Sequence, residues 1–320
     1  MLVYAGIDEA GYGPMFGPLC IGSCVLILKN HDPEDGAPDI WTLLKQVICK
    51  TRKEAKIKIA INDSKRLKSN AKNKSLTHLE RGIFAFLSSM GVKMPTDDTE
   101  FFTLMQCQPA DNPWYQKSTP LPVGNDENML RIDSSRLMAA LLLADITCGN
   151  MACTAVDVKK YNELTKHSTK SALNFSIAMQ HVDAIMSQFP TEHPRIMIDR
   201  HGGKIKYRND LQLFWENAKV QVLIEDQSMS RYRIRVGTKK ATVTFASKTD
   251  EKHFPAALAS MIAKYTRELI MKRFNNYFLQ QIPTLKPTAG YVQDGRRFLK
   301  EIEPLLAKNG VNRDLLIRSS

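Results

Sequence analysis

Apolar residues change their period along this chain, and each change marks an element. Residues 2–8 (LVYAGID) are almost unbroken in apolar character until they meet acids, which predicts a short buried strand. A glycine-rich turn follows at 11–17 (GYGPMFG), and residues 18–29 (PLCIGSCVLILK) predict a second strand. Two buried strands about one tight turn predict a hairpin, with 30–39 (NHDPEDGAPD) as a surface loop. Helical spacing resumes from Leu76 to Met90, with apolar residues at 76, 79, 83, 84 and 87. Helices are also predicted over 131–149 and 171–189. Between 93 and 130 stand five prolines, which predict a long loop or a small insertion. Short strands are predicted at 196–199 (IMID), 220–225, 232–236 and 241–247. The clearest helix covers 256–274, rich in Ala, Leu, Met, Lys and Glu, with Pro255 just before it. A helical tail follows at 294–309. This order predicts an α/β fold, a sheet with helices on both faces.

Composition narrows the picture. Of 320 residues, 43% are hydrophobic and 24% charged, which excludes disorder for most of the length. Lys and Arg number 45 against 33 acids, a formal net charge of +12. Such an excess draws polyanions, although it also serves plain solubility. Six cysteines, at 20, 24, 49, 107, 148 and 153, form no CxxC pair. They read as reduced, partly buried thiols of a cytoplasmic protein, with Cys148 and Cys153 near enough in sequence to touch. No run of 18 apolar residues exists, so no membrane span is expected. No secretory leader is expected either, since residues 1–30 lack a basic start and are interrupted by Asp8 and Glu9.

Three acidic points stand where predicted strands end. Asp8 and Glu9 run into Gly11, Gly13 and Gly17; Asp199 meets a Gly-Gly turn; Asp250 follows the last strand. Adjacent acids on a strand face opposite ways, but both reach one site if the strand breaks there. Carboxylates at strand ends suit hard divalent cations, which take oxygen ligands and assist phosphodiester hydrolysis. A soft-metal site would need Cys or His clusters, and none is found. Acids preceding the glycines are not a dinucleotide fingerprint.

With these residues in place a resemblance emerges. The segment GIDEAGYGPMFGPL at 6–19 is similar to the opening signature of the type 2 ribonuclease H family, ribonucleases HII and HIII. DSKRL at 63–67 resembles that family's DSK motif. IMID at 196–199 resembles the strand carrying its third acid, and DEKHFPAALASMIAKYTRE at 250–268 the segment carrying its fourth. The resemblance implies a ribonuclease H-like fold with a central mixed β-sheet flanked by helices. It implies catalytic, metal-holding acids at Asp8, Glu9, Asp199 and Asp250, with Mg²⁺ or Mn²⁺ as cofactor and two ions during catalysis. The implied substrate is a nucleic-acid duplex, either an RNA–DNA hybrid or DNA containing a ribonucleotide. Hydrolysis would leave 5′-phosphate and 3′-hydroxyl ends. Substrate contacts are implied at Gly11, Tyr12, Gly13, Ser64, Lys65, Lys252 and Tyr291. The chain reads as one domain over 1–320, with an insertion at about 93–130 and a helical C-terminal extension at about 266–320.

Two departures stand out. The family usually has Gly-Arg-Gly where this chain has Gly11-Tyr12-Gly13, so a fixed charge is missing. The stretch between Asp63 and Asp199 is also longer than is typical. These departures leave two alternatives open: an altered or inactive relative that binds nucleic acid, and a nuclease of the same fold acting on structured DNA. Smaller choices remain as well. Glu251 rivals Asp250, and His201 is a proton shuttle or an ordinary turn histidine. Arg231, Arg233 and Arg235 share one face of a predicted strand, as a phosphate track or as a solvated edge. Arg313 and Arg318 reach a duplex from the tail or form an exposed basic end. Asp145 reads as a packing or capping acid.

Overall fold

The structure is a computed structural model that describes residues 1–67 and 76–319. Lys68 and Ser69, at the end of the DSKRLKS segment, lie outside the described residues. In chain order the strands are β1 (Leu2–Ala10), β2 (Leu19–Leu28), β3 (Ile48–Cys49), β4 (Ile59–Ala60), β5 (Ile146–Val156), β6 (Arg195–Asp199), β7 (Lys219–Glu225), β8 (Met229–Val236) and β9 (Lys239–Ala246). The helices are α1 (Ile40–Leu43), α2 (Ser64–Leu67), α3 (Thr77–Ser89), α4 (Asp98–Leu104), α5 (Glu127–Leu143), α6 (Val158–Thr165), α7 (Lys170–Gln188), α8 (Arg208–Phe214), α9 (Thr249–Lys252), α10 (Phe254–Gln281) and α11 (Val292–Lys308).

Seven strands form one mixed sheet in the order β5-β2-β1-β6-β9-β8-β7. β1, β2 and β5 are an antiparallel run, and β6 and β9 lie parallel to β1. That arrangement is the ribonuclease H-like α/β sheet, here widened by the antiparallel strands β8 and β7. Three neighbouring parallel strands, β1, β6 and β9, therefore end at the same edge.

Period-two alternation along β1 assigns its two faces. Val3, Ala5 and Ile7 join the core under α7, with Ile177, Val182 and Ile196. Leu2, Tyr4 and Ala10 join the larger core under α10. Helix α10 crosses β1 and β2 at very close range. A Cβ on Gly6 would lie 2.1 Å from the Ala256 nitrogen, and one on Gly22 would lie 2.4 Å from the Ala259 oxygen. Glycine in the strands and alanine in the helix permit this approach, which sets the helix directly over the strand that carries Asp8. On the other face His181 of α7 lies 2.9 Å from the Ser23 hydroxyl of β2 and 3.0 Å from that of Thr154 on β5.

One local expectation is corrected, and one pair of alternatives is narrowed. The helix predicted over 131–149 is α5, which ends at Leu143; residues 146–149 begin β5 instead. Asp145 takes a left-handed φ of 53° at the break and accepts a hydrogen bond from Asn30. The proline-rich stretch is not a plain long loop. It contains α4, and Trp114 stacks on Phe278 of α10. Helix α10 runs unbroken through position 266. The six thiols are all free and buried. Cys148 neighbours Cys24, while Cys153 neighbours Cys20 and Cys107, so the two do not face each other. Among the described residues no helix is long and apolar enough to cross a membrane.

Candidate metal and nucleic-acid site

Register brings the acids together. Ile7 of β1 pairs with Ile198 of β6, so Asp8 and Asp199 stand one step further along adjacent parallel strands. Asp199 pairs in turn with Ala246, the last residue of β9. From there the chain turns through Lys248, at a φ of 58°, into α9, whose first turn carries Asp250. Asp199 fastens that turn: its Oδ1 accepts from the Thr249 amide at 3.2 Å and lies 3.4 Å from the Thr249 hydroxyl. The carboxyl ends of parallel strands are where α/β sheets commonly bind ligands.

The four carboxyls lie in one another's fields. Asp8 is 8% exposed. Burial pushes its pKa well above the carboxylate range, and the charges of Glu9, Asp250 and Asp199 push it further. Burial and then Asp199 raise Glu9. Burial raises Asp199 against the hydrogen bonds from Thr249. Asp250 rises to about 6 through burial and then the charges of Asp63, Asp199 and Glu251. Like charges held together with burial produce this pattern.

Neighbours differ on the two faces. Ser260 of α10 hydrogen-bonds Asp8 and lies 3.1 Å from the Ser64 hydroxyl. Asn174 of α7 hydrogen-bonds Glu9 from the other side of the sheet. Lys65 projects from α2, and its charge favours ionisation of both Glu9 and Asp250. Glu251, the rival to Asp250, is ion-paired to Arg66 at 2.9 Å. The donor set of oxygens fits a hard divalent cation. The spacing is wider than ligation requires: among the described residues no three His, Cys, Asp or Glu side chains are gathered closely enough to hold a metal ion.

Beside the acids lies the glycine turn. Gly11 has a φ of 85°, and a Cβ there would strike the buried Arg267 side chain. Arg318, near the end of the chain, reaches under the same turn. It donates from Nη1 to the Gly11 carbonyl at 2.5 Å and from Nε to the Gly17 carbonyl at 2.9 Å. Arg267 donates to the carbonyls of Phe16 and Ala289. Because a trans peptide sets C=O and N–H on opposite sides, the inward Gly11 carbonyl turns the Tyr12 amide outward. A Cβ on Gly13 would meet nothing within 4 Å, so its backbone is open to close approach. The Gly290 carbonyl receives Met15 N at 2.8 Å, which sets the half-exposed Tyr291 beside the turn.

Comparison with solved structures finds likenesses to ribonucleases HII, H2 and HIII. The chain is similar to ribonuclease HII from Archaeoglobus fulgidus, solved with PCNA, at 15% identity and a TM-score of 0.43, covering 99% of this chain and 94% of that one. It is similar to ribonuclease H2 from Pyrococcus horikoshii at 17% and 0.44, covering 98% and 92%. It is also similar to Bst-RNase HIII in complex with Mn²⁺ at 15% and 0.44, covering 99% and 66%. Every TM-score is below 0.5, so the sheet order, and not these likenesses, establishes the fold. No family model and no curated protein matches the chain.

The remaining candidates are placed variously. Tyr12 is 41% exposed, and burial and the charge of Glu9 raise its phenol. Lys252 is exposed, and its charge falls on His253 at the start of α10. His201 is buried in an aromatic cluster with Phe175, Tyr207 and Phe245, and burial holds its pKa down at about 4. It is a core histidine beneath the turn. Arg318 is buried, which corrects the exposed-tail alternative, and Arg313 pairs with Glu303. Sequence reasoning missed Asn174, Ser260, Asp63 and Arg267.

Proposed function

We propose that this protein is a metal-dependent endoribonuclease that hydrolyses RNA in RNA–DNA hybrids, or a ribonucleotide embedded in duplex DNA, leaving 5′-phosphate and 3′-hydroxyl ends. The observation that carries the proposal is the mutual influence of carboxyls, Asp8, Glu9, Asp199 and Asp250, near the shared end of three parallel strands. Each is raised by burial, and Asp8, Glu9 and Asp250 are raised further by the charge of other members of the group. A cluster of this kind is unfavourable for the bare protein and matches a divalent cation, Mg²⁺ or Mn²⁺, which would supply water activation and charge neutralisation.

The chain's own residues supply the rest. Asp8 and Asp199, on adjacent strands, would hold the cation from the sheet, and Asp250 and Glu9 would close on it from either side. Lys65 would meet the phosphate at the centre, since its charge already reaches both Glu9 and Asp250. The Tyr12 amide and the open Gly13 backbone would hold the sugar-phosphate strand. Tyr12 and Tyr291, both exposed beside the turn, would stack on base or sugar. The charge missing at position 12 is replaced from beneath by Arg267 and Arg318.

One observation favours a second reading. The acids are spaced more widely than ligation requires, as they would be in a relative that binds duplex without cutting it. Three duplexes separate the possibilities: all-DNA, RNA–DNA hybrid, and DNA with one ribonucleotide, each with Mg²⁺, Mn²⁺ or EDTA. The proposal expects metal-dependent nicking of the hybrid or the ribonucleotide duplex. Tight binding with every duplex left intact would replace it with the second reading, and cutting of structured all-DNA alone would make the protein a DNA nuclease.

A further inference from the structure

The sheet face that carries Asp8 continues, beyond the edge of α10, into a basic cleft that the acidic centre does not use. Strand β8 turns Arg231, Arg233 and Arg235 to one face, at roughly 6.7 Å intervals. It is an interior strand, with β7 outside it, so these residues do not serve to blunt an edge. Arg233 pairs across with Thr242 of β9, and Thr242 pairs with Arg195 of β6. Two arginines thus flank a threonine in one row, roughly 10 Å apart. The cleft has a volume of about 420 Å³ and is lined by Tyr4, Arg195, Arg231, Arg233, Thr242 and His253, among others.

Its side chains are set by hydroxyls. Arg195 Nη1 donates to Thr242 Oγ1 at 2.8 Å, and Arg231 Nε donates to Thr244 Oγ1 at 3.1 Å. These bonds leave further N–H donors of both forks for a ligand. Among the described residues the acid ion-paired here is Glu34, whose side chain is 88% exposed and 3.7 Å from Arg195. The cations act on one another. Burial and the charges of Arg233 and Arg231 lower Arg195, and His193 is held at about 4 by burial and then by Arg195, Lys240, Arg233 and Arg235.

We propose that this cleft is a second phosphate-binding track, which takes the backbone of a nucleic-acid strand on its way to or from the acidic centre. The proposal rests on the nuclease reading for what lies at the end of the track. The link is short: His253, on the cleft wall, hydrogen-bonds Tyr4 at 2.6 Å and directly follows α9, which carries Asp250. Arginine forks suit phosphate oxygens, and contacts of this kind carry no base preference.

Fluorescence titrations of hybrid and all-DNA duplexes in EDTA, at several salt concentrations, test it without any cleavage. Arg231→Gln with Arg233→Gln should weaken both duplexes alike, by about tenfold or more, and flatten the salt slope by roughly 1.8, two lost phosphate contacts. Arg231→Lys with Arg233→Lys should keep most of the slope, and Lys308→Gln, on an exposed helix end, should change nothing. Unchanged slope and affinity in the double glutamine variant would overturn the track, and so would an equal loss in the double lysine variant. The two ideas fail separately. Nicking with an unchanged slope sinks the track alone; a flattened slope in a protein that never nicks sinks the nuclease alone.

Discussion

Arg267 and Arg273 lie on the same helix, α10, and both are buried, yet their surroundings differ completely. Arg273 forms a two-pronged ion pair with Asp98 of α4 and also donates to the Tyr115 carbonyl at 2.7 Å. Nearby Arg81 and Asp133 repeat the pattern, joined at 2.6 Å. Arg267 has backbone carbonyls, and its Nε has no partner among the described residues. Arg318 beside it also has a partnerless nitrogen, and burial and Arg267 lower its pKa to about 10. A short distance away, carboxyls raise one another's pKa. The middle segment's Asp98 and Asp133 each meet an arginine, whereas at the carboxyl end of the sheet the buried arginines meet carbonyls and the acids raise one another, with Lys65 facing Glu9 and Asp250. Burying an ion without a counter-ion costs several kcal/mol, so a fold keeps such charge where something external completes it. On this account the acids wait for a cation and the arginines beneath the turn for phosphate.

The comparison breaks most visibly in the middle segment. Asp98→Ala should strand Arg273 without its partner and cost about 3–5 kcal/mol of stability, read as a lowered denaturant midpoint at unchanged slope. A loss under about 1 kcal/mol would mean that the pair is not what locks α4 to α10. Arg318→Met should behave in the opposite manner. Lost bonds to the Gly11 and Gly17 carbonyls oppose the relief of an unpaired buried cation, so stability should shift by less than about 2 kcal/mol. Duplex affinity should nonetheless fall by roughly tenfold, about 1.4 kcal/mol. Full affinity in a folded variant would remove the basic floor from the account.

The acidic centre offers a pH test. A carboxyl raised from its usual 3.8 to about 6, as Asp250 is, keeps its proton in the fold after the unfolded chain has lost it. Stability from this group is therefore full below about pH 4 and is lost as the pH rises through about 6. Asp250→Asn removes that loss. The variant should match the wild type near pH 4 and exceed it at neutral pH by on the order of 1 kcal/mol, the partly exposed position having screened the effect. Four histidines held at about 4, His181, His193, His201 and His253, tilt stability the other way, so the difference between the two proteins is the quantity to follow. Mg²⁺ should raise the melting temperature of the wild type more than that of the variant. The smallest effect belongs to the turn. Tyr12→Arg should steepen the salt dependence of duplex binding by roughly one phosphate contact, a slope change of about 0.9. An unchanged slope would mean that residue 12 faces away from the nucleic acid.

Much of this architecture was legible because local pattern and tertiary position agree. The apolar runs ending in Asp8 and Asp199 are central parallel strands, buried on both faces, and such strands show as near-continuous hydrophobic segments. β5 was invisible for the opposite reason. ITCGNMACTAV is rich in Ala, Met, Cys, Gly and Asn, and it is held as a strand by its pairing along the whole of β2 rather than by its own preference. Prolines over 93–130 leave a long loop and a small insertion equally open, because they mark where a chain turns and not what packs between the turns. Of the site, the acids were visible at strand ends, but their hydrogen-bond partners were not. Asn174 and Ser260 come from helices on opposite faces, and Arg318 arrives from the far end of the chain. Such long-range contacts leave no local signature, so Arg318 read as tail charge when it is the floor of the glycine turn.

The proposed role of Asp8, Glu9, Asp199 and Asp250 is to hold a catalytic divalent cation at the sheet's end. Its most direct test is to measure nicking of a duplex carrying one ribonucleotide, and of a hybrid, by the wild type and Asp199→Asn side by side in Mg²⁺, with circular dichroism melts of both proteins. The account predicts metal-dependent nicking by the wild type, a loss of about a thousandfold or more in the variant, and a variant at least as stable as the wild type without metal. Equal nicking by the two proteins, or a variant lost through unfolding, would contradict it.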